Sequence, residues 1–178
     1  NSSEQTAYSN YLVNGGGLFL MGENGYFMER NNSVLSLISS LGGGDLGFND
    51  CQDGTQQVHA PFTGPNDVAE VTYALSGCFS SKGTGQWITS RTDGSAGSGV
   101  AFAAGSLSNA MAGALTTILD VNFMMNEFDL PNSQQLTKNL IAFVGEQTQN
   151  PSNPVPAPAT VLMLATALAA LRLRRKQQ

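Results

Sequence analysis

A charge-free run, Ala159 to Leu171, closed by Arg172, Arg174, Arg175 and Lys176, divides this chain before any fold is considered. Thr160 and Thr166 are its only polar residues. Its apolar side chains surround a helix instead of forming one stripe, so it does not suit the surface of a water-soluble core. Thirteen helical residues span roughly 20 Å, short of the ~30 Å hydrocarbon core of a bilayer. Val155, Leu173 and a snorkelling Arg172 lengthen that span. Pro156 and Pro158 break the chain ahead of the run, and the basic residues behind it are those expected of an end kept in the cytoplasm. The expected division is a folded domain over 1–147, a Pro/Asn/Ser linker over 148–158, and a hydrophobic helix with a basic end over 159–178.

The body that this tail carries is polar but weakly charged. Only 12% of the chain is Asp, Glu, Lys or Arg. Outside the tail, 13 acidic residues face the basic residues Arg30, Lys82, Arg91 and Lys138 alone. Such a surface repels a polyanion, so no nucleic-acid partner is expected. The cysteines, Cys51 and Cys78, suggest one disulfide in an exported protein; two unrelated buried thiols are the alternative. With one histidine and widely separated cysteines, neither a zinc-type cluster nor another metal or cofactor is expected. No apolar leader follows Asn1, so the expectation is that the N-terminus of a precursor is missing, by truncation or processing, with the uncleaved tail favouring truncation.

Periodicity outlines the body. Ser2–Asn14 reads as a helix, capped by Ser2 with Gln5 and ended by Gly15. Leu18–Met21 is an apolar run of strand length, as in a parallel strand covered on both faces. A second helix runs from a cap at Asn32 or Ser33 to Gly42. Helix, strand, helix is the order of a parallel α/β sheet. Residues 43–65 read as loop. Strands are expected at Glu70–Ser76, Gln86–Thr89, Gly99–Ala104 and Ala114–Asn122, with a turn at Asp93-Gly94. A last helix covers about Asn132 to Val144, with Gly145 as its stop.

Val155-Pro156-Ala157-Pro158-Ala159-Thr160, the apolar run and the basic end together resemble the PEP-CTERM sorting signal of Gram-negative bacteria, with Ala157 where that family usually has Glu. The resemblance implies a precursor held in the inner membrane by its C-terminal helix. It also implies a partner of the exosortase type that processes the tail, and delivery to the cell surface or the extracellular matrix, often among exopolysaccharide. In the body, Asn14-Gly-Gly-Gly-Leu-Phe-Leu-Met-Gly-Glu and Ala114-Leu-Thr-Thr-Ile-Leu-Asp-Val-Asn-Phe resemble strands of class I glutamine amidotransferase-like domains. That resemblance implies an α/β fold with a mostly parallel sheet flanked by helices, N-terminally truncated. It also implies loss of the amidotransferase reaction, because Gly22-Glu23-Asn24-Gly25 stands where the nucleophilic Cys would be.

Three residues are candidates for chemistry. Glu23 follows a strand, where ligands of open α/β sheets bind, and suits a general base or a sugar hydroxyl; a solvated turn is the plainer account. His59 is the one neutral-pH acid/base, yet no Gly-x-Ser-x-Gly elbow accompanies it. Asp120 ends a strand in a group with Asn122, Glu127 and Asp129, and Asp120-x-Asn122 opens like a calcium loop; Pro131 occupies the position where that loop needs its last Glu. The expectation is a non-catalytic binding or structural body. The alternative is an extracellular hydrolase acting on carbohydrate through Glu23, His59 and Asp120.

Overall fold

The computed structural model describes residues 2–125 and 129–148, apart from the side chains of Gln52 and Asp53. The sorting motif, the hydrophobic run, the basic end and Glu127 lie outside the described residues. Among the described residues no helix is long and apolar enough to cross a membrane.

Nine elements follow one another: α1 (Ser2–Val13), β1 (Gly17–Met21), α2 (Met28–Ser40), β2 (Phe48–Val58), β3 (Glu70–Phe79), β4 (Gln86–Ser90), β5 (Gly99–Phe102), β6 (Ala114–Ile118) and α3 (Leu130–Thr148). A short 3-10 turn, Gly25–Phe27, leads into α2, and another, Phe123–Met125, follows β6. The strands form one sheet in the order β1-β6-β5-β4-β2-β3.

The expected mostly parallel, amidotransferase-like sheet is not what forms. Only β1 and β6 run parallel, Gly17 opposite Ala114 through Met21 opposite Ile118. The other pairings are antiparallel. The reason is the length of the links. A parallel crossover needs about a dozen residues or more, and the 91–98 link between β4 and β5 turns tightly, with Gly94 N–H donating to Arg91 O (2.8 Å). The Asp93-Gly94 turn is thus a hairpin turn. Among the described residues helix–strand–helix order occurs once, at α1–β1–α2.

Two apolar layers hold the sheet. On one face Leu12 of α1, Leu37 and Ile38 of α2 and Leu41 just after it pack on Val100, Phe102 and Leu115. On the other, Leu136, Leu140 and Phe143 of α3 pack on Ala101 and Ile118, with Phe62, Val71 and Tyr73. Alternation along β5 assigns Val100 and Phe102 to one layer and Ala101 to the other, as a pleated strand must. β1 is covered on both faces, Leu18 and Leu20 packing on the first layer and Phe19 on the second, but all five of its residues are only half-buried, whereas β5 and β6 are buried throughout. α3 runs through Gly145 to Thr148, because Val144 and Thr148 pack beside Gly17, where only a glycine leaves room.

Candidate functional site

The parallel pair ends in two turns that face each other. After β1, Gly22 N–H donates to Ile118 O (2.8 Å), adding one more rung to the ladder. A side chain at Gly22 would collide with Leu119 and Asn31, so glycine is required there. Asn31, fully buried on α2, then fixes the turn: its Oδ1 accepts from Glu23 N–H (2.8 Å), and its Nδ2 donates to Glu23 O (2.8 Å) and Asn24 O (3.1 Å). Asn24 caps the 3-10 turn by accepting from Tyr26 N–H (3.0 Å). After β6, Asp120 Oδ1 accepts from Asn122 N–H (2.9 Å) and closes the second turn.

β3 curls over these ends and forms the opposite wall. Gly77 N–H donates to Leu119 O (3.0 Å), and Asn24 Nδ2 reaches Leu75 O (3.5 Å). The result is a cleft of about 720 Å³. Glu23, Asn24, Asp120 and Asn122 line it with polar groups, and Phe27, Leu75, Val121 and Met125 are the large apolar residues around them. Glu23 and Asp120 are each only 5% exposed, while Phe27, Leu75, Val121 and Met125 are exposed around them. Arg30 also lines the cleft, its guanidinium 5.8 Å from the centre of the Phe27 ring.

The electrostatics follow from burial. Loss of water pushes the Asp120 carboxyl above its ordinary range; the Asn122 N–H opposes that shift, and the negative charge of Glu23 adds to it. Glu23 Oε1 accepts from Asn24 N–H (3.0 Å) and Asn24 Nδ2 (3.2 Å). Beneath the cleft, Tyr73 is fully buried, bonded through its hydroxyl to Thr89 Oγ1 (3.0 Å) and stacked on Phe123. Burial raises its phenol far above the ordinary value, so it stays protonated.

His59 does not join Glu23 and Asp120. It follows β2, its Nε2 lies 2.8 Å from Ser90 Oγ, and it does not line the cleft. Ser90 is buried and His59 half-buried, and their bond ties the end of β2 to β4. Among the described residues no group of three or more His, Cys, Asp or Glu side chains could hold a metal. Asp129 accepts instead from Thr72 N–H (2.9 Å) and Asn132 Nδ2 (3.2 Å), tying the start of α3 to β3. Asp45 accepts from Gly47 N–H (3.1 Å) within its own loop. Cys51 and Cys78 are bonded as a disulfide that joins β2 to β3, with their Cα atoms 5.4 Å apart.

Sequence reasoning missed Phe27, Arg30 and Leu75. Phe27 and Arg30 come from a turn and a first helical segment that begin earlier than the Asn32–Ser33 cap suggested. The adjacent aromatic pair Tyr26-Phe27 was the available signal.

No family model matches the chain, and no curated protein matches it. A solved structure titled "mmIFT52 N-terminal domain" is similar, with a TM-score of 0.54 and 11% identity, covering 84% of this chain and 72% of that one. At that identity the likeness concerns the fold alone, and it is a likeness to the mixed sheet described above.

Proposed function

We propose that this chain is an exported bacterial envelope or matrix protein whose body binds a saccharide in the cleft beyond β1 and β6. The observation that carries the reading is the pairing, in that cleft, of the buried Glu23, Asn24 and Asp120 and the exposed amide of Asn122 with the exposed ring of Phe27. A sugar ring has the matching halves. Its hydroxyls donate to carboxylates and exchange bonds with amides, and its C–H face packs on an aromatic ring. The Cys51–Cys78 disulfide suits an oxidising compartment. The PEP-CTERM-like tail supplies the address: an inner-membrane precursor, an exosortase-type partner, and release to the surface or among exopolysaccharide.

Calorimetric titration of the full chain with neutral oligosaccharides tests this. Phe27→Ala and Glu23→Gln are each expected to weaken binding by about tenfold, the equivalent of ~1.4 kcal/mol, whereas His59→Ala leaves it unchanged. Binding that survives both cleft substitutions would sink the reading.

A second reading has one observation in its favour. Burial, with the nearby charge of Glu23 adding to it, raises the Asp120 carboxyl above its ordinary value, the direction a general acid needs. That is the requirement for acid/base hydrolysis of a glycoside. It predicts turnover of a bound oligosaccharide that Asp120→Asn abolishes while binding persists. Absence of turnover by the unmodified protein, with binding intact, leaves the non-catalytic reading.

A further inference from the structure

Among the described residues β1 is an edge strand whose only neighbour in the sheet is β6. Ala114 N–H donates to Gly16 O (3.2 Å) and Gly22 N–H to Ile118 O (2.8 Å), so even-numbered residues of the β1 segment bond toward β6. The alternation of a ladder turns the N–H and C=O groups of Gly17, Phe19 and Met21 the other way. Among the described residues these groups have no backbone partner on that side. Natural sheets blunt such an edge with charge, proline, a bulge or a covering element. Gly-Leu-Phe-Leu-Met carries none of the sequence devices, and all five residues are half-exposed.

We propose that this edge pairs with the same edge of a second copy of the chain. The outward residues, Gly17, Phe19 and Met21, are symmetric about Phe19. An antiparallel approach across a two-fold axis at Phe19 sets Phe19 opposite Phe19 and Gly17 opposite Met21. Each opposed pair then exchanges both of its backbone bonds, and no outward group is left over. The same axis sets Leu18 opposite Leu20 on the other face.

Charge permits self-association through this surface. The body is acidic, with 13 acidic residues against four basic ones outside the tail, so two copies repel over most of their area. β1 is uncharged, and α1 carries a single charged residue, Glu4. A five-residue ladder alone falls short of the roughly 1,000 Å² that marks a specific interface. α1 adds to it: Tyr11 covers Gly16 just before β1, and Tyr8, Tyr11 and Val13 are 42%, 53% and 51% exposed. The dimer has one continuous sheet, with the turns that follow its two central β1 strands on opposite edges of it.

The test uses the full chain in detergent. Phe19→Cys is expected to give a disulfide-linked species of doubled mass, because facing Cα atoms in a hydrogen-bonded pair lie about 5.5 Å apart, within disulfide reach. In the unmodified protein the amides of Gly17, Phe19 and Met21 are expected to be protected from hydrogen exchange, and to lose at least tenfold of that protection on dilution to monomer. Tyr11→Glu is expected to weaken the dimer about tenfold or more while the melt stays cooperative. A monomer at every concentration overturns the proposal. So does protection that does not depend on concentration, which would mean that another segment of the same chain covers the edge.

Discussion

β6 and β2 lie in the same sheet, and different forces hold them there. β6 is Ala-Leu-Thr-Thr-Ile, buried at every position and packed between helices on both faces. β2 is Phe-Asn-Asp-Cys-Gln-Asp-Gly-Thr-Gln-Gln-Val, a polar sequence with two register shifts against β3. Little of it packs into an apolar layer. It is held by its ladder with β3, by the Cys51–Cys78 disulfide, and by Gln56. Gln56, 3% exposed, accepts from Ser98 N–H (2.9 Å) and donates to Ser98 Oγ (2.7 Å). Burial sets β6; cross-links and polar pairing set β2. The cleft takes its polar floor from the turns after β1 and β6, and one wall from β3, the partner of β2.

The comparison breaks first in the core. Leu115→Ala in β6 is expected to lower stability by about 2–5 kcal/mol, read by urea unfolding, because it removes apolar contacts and leaves a cavity. Cys51→Ala should cost about 2–4 kcal/mol through the freed 27-residue separation. The accompanying rise in hydrogen exchange should be confined to β2 and β3; exchange that rises equally in β6 would contradict the division. Gln56→Ala is smaller, about 1–3 kcal/mol, since it strands the buried Ser98 N–H.

Two further changes sharpen the contrast by going the other way. The hydroxyls of Thr116 and Thr117 in β6 are buried, and among the described residues they find no hydrogen-bond partner. Thr117→Val should therefore stabilise by about 1 kcal/mol, whereas a polar-to-apolar change at Gln56 destabilises. Asp120 supplies a pH signature. Its folded carboxyl binds a proton more tightly than the unfolded one, so protonation favours the fold. Its effect is most favourable below the ordinary carboxylate range, and stability falls as pH rises through the raised value. Asp120→Asn should flatten that part of the curve in thermal melts; an unchanged slope would remove Asp120 from the account.

The same contrast explains what the sequence could disclose. Burial leaves a trace, so α2 and α3, with apolar residues at helical spacing, and the strands at Leu18–Met21, Gln86–Thr89 and Gly99–Ala104 were legible; α1, of which only Leu12 is buried, was legible by its expected cap and its Gly15 stop. β2 was read as loop because Asn, Asp, Gln and Gly carry no strand period; its order comes from partners distant in the chain. The parallel order was misjudged because one helix–strand–helix unit was extended to the whole sheet, although the short 91–98 link excludes a crossover. Glu23 and Asp120 were legible as residues just beyond strand ends, and the register of β1 with β6 brings those ends together. His59 stood out by residue type alone, and its Ser90 bond sets it apart from the cleft. Phe27 and Leu75 were not legible, since their place depends on how β3 folds over the sheet ends.

The central claim is that the turns after β1 and β6 form the saccharide site. The most direct measurement is a map of backbone amide shifts in the full chain as the exopolysaccharide of a producing bacterium, cut to short oligomers, is titrated in. The account predicts that Glu23, Asn24, Val121 and Asn122 shift together with one affinity while His59 and Ser90 stay still. Shifts centred on His59 and Ser90, or none at the four cleft amides at saturating oligomer, would contradict it.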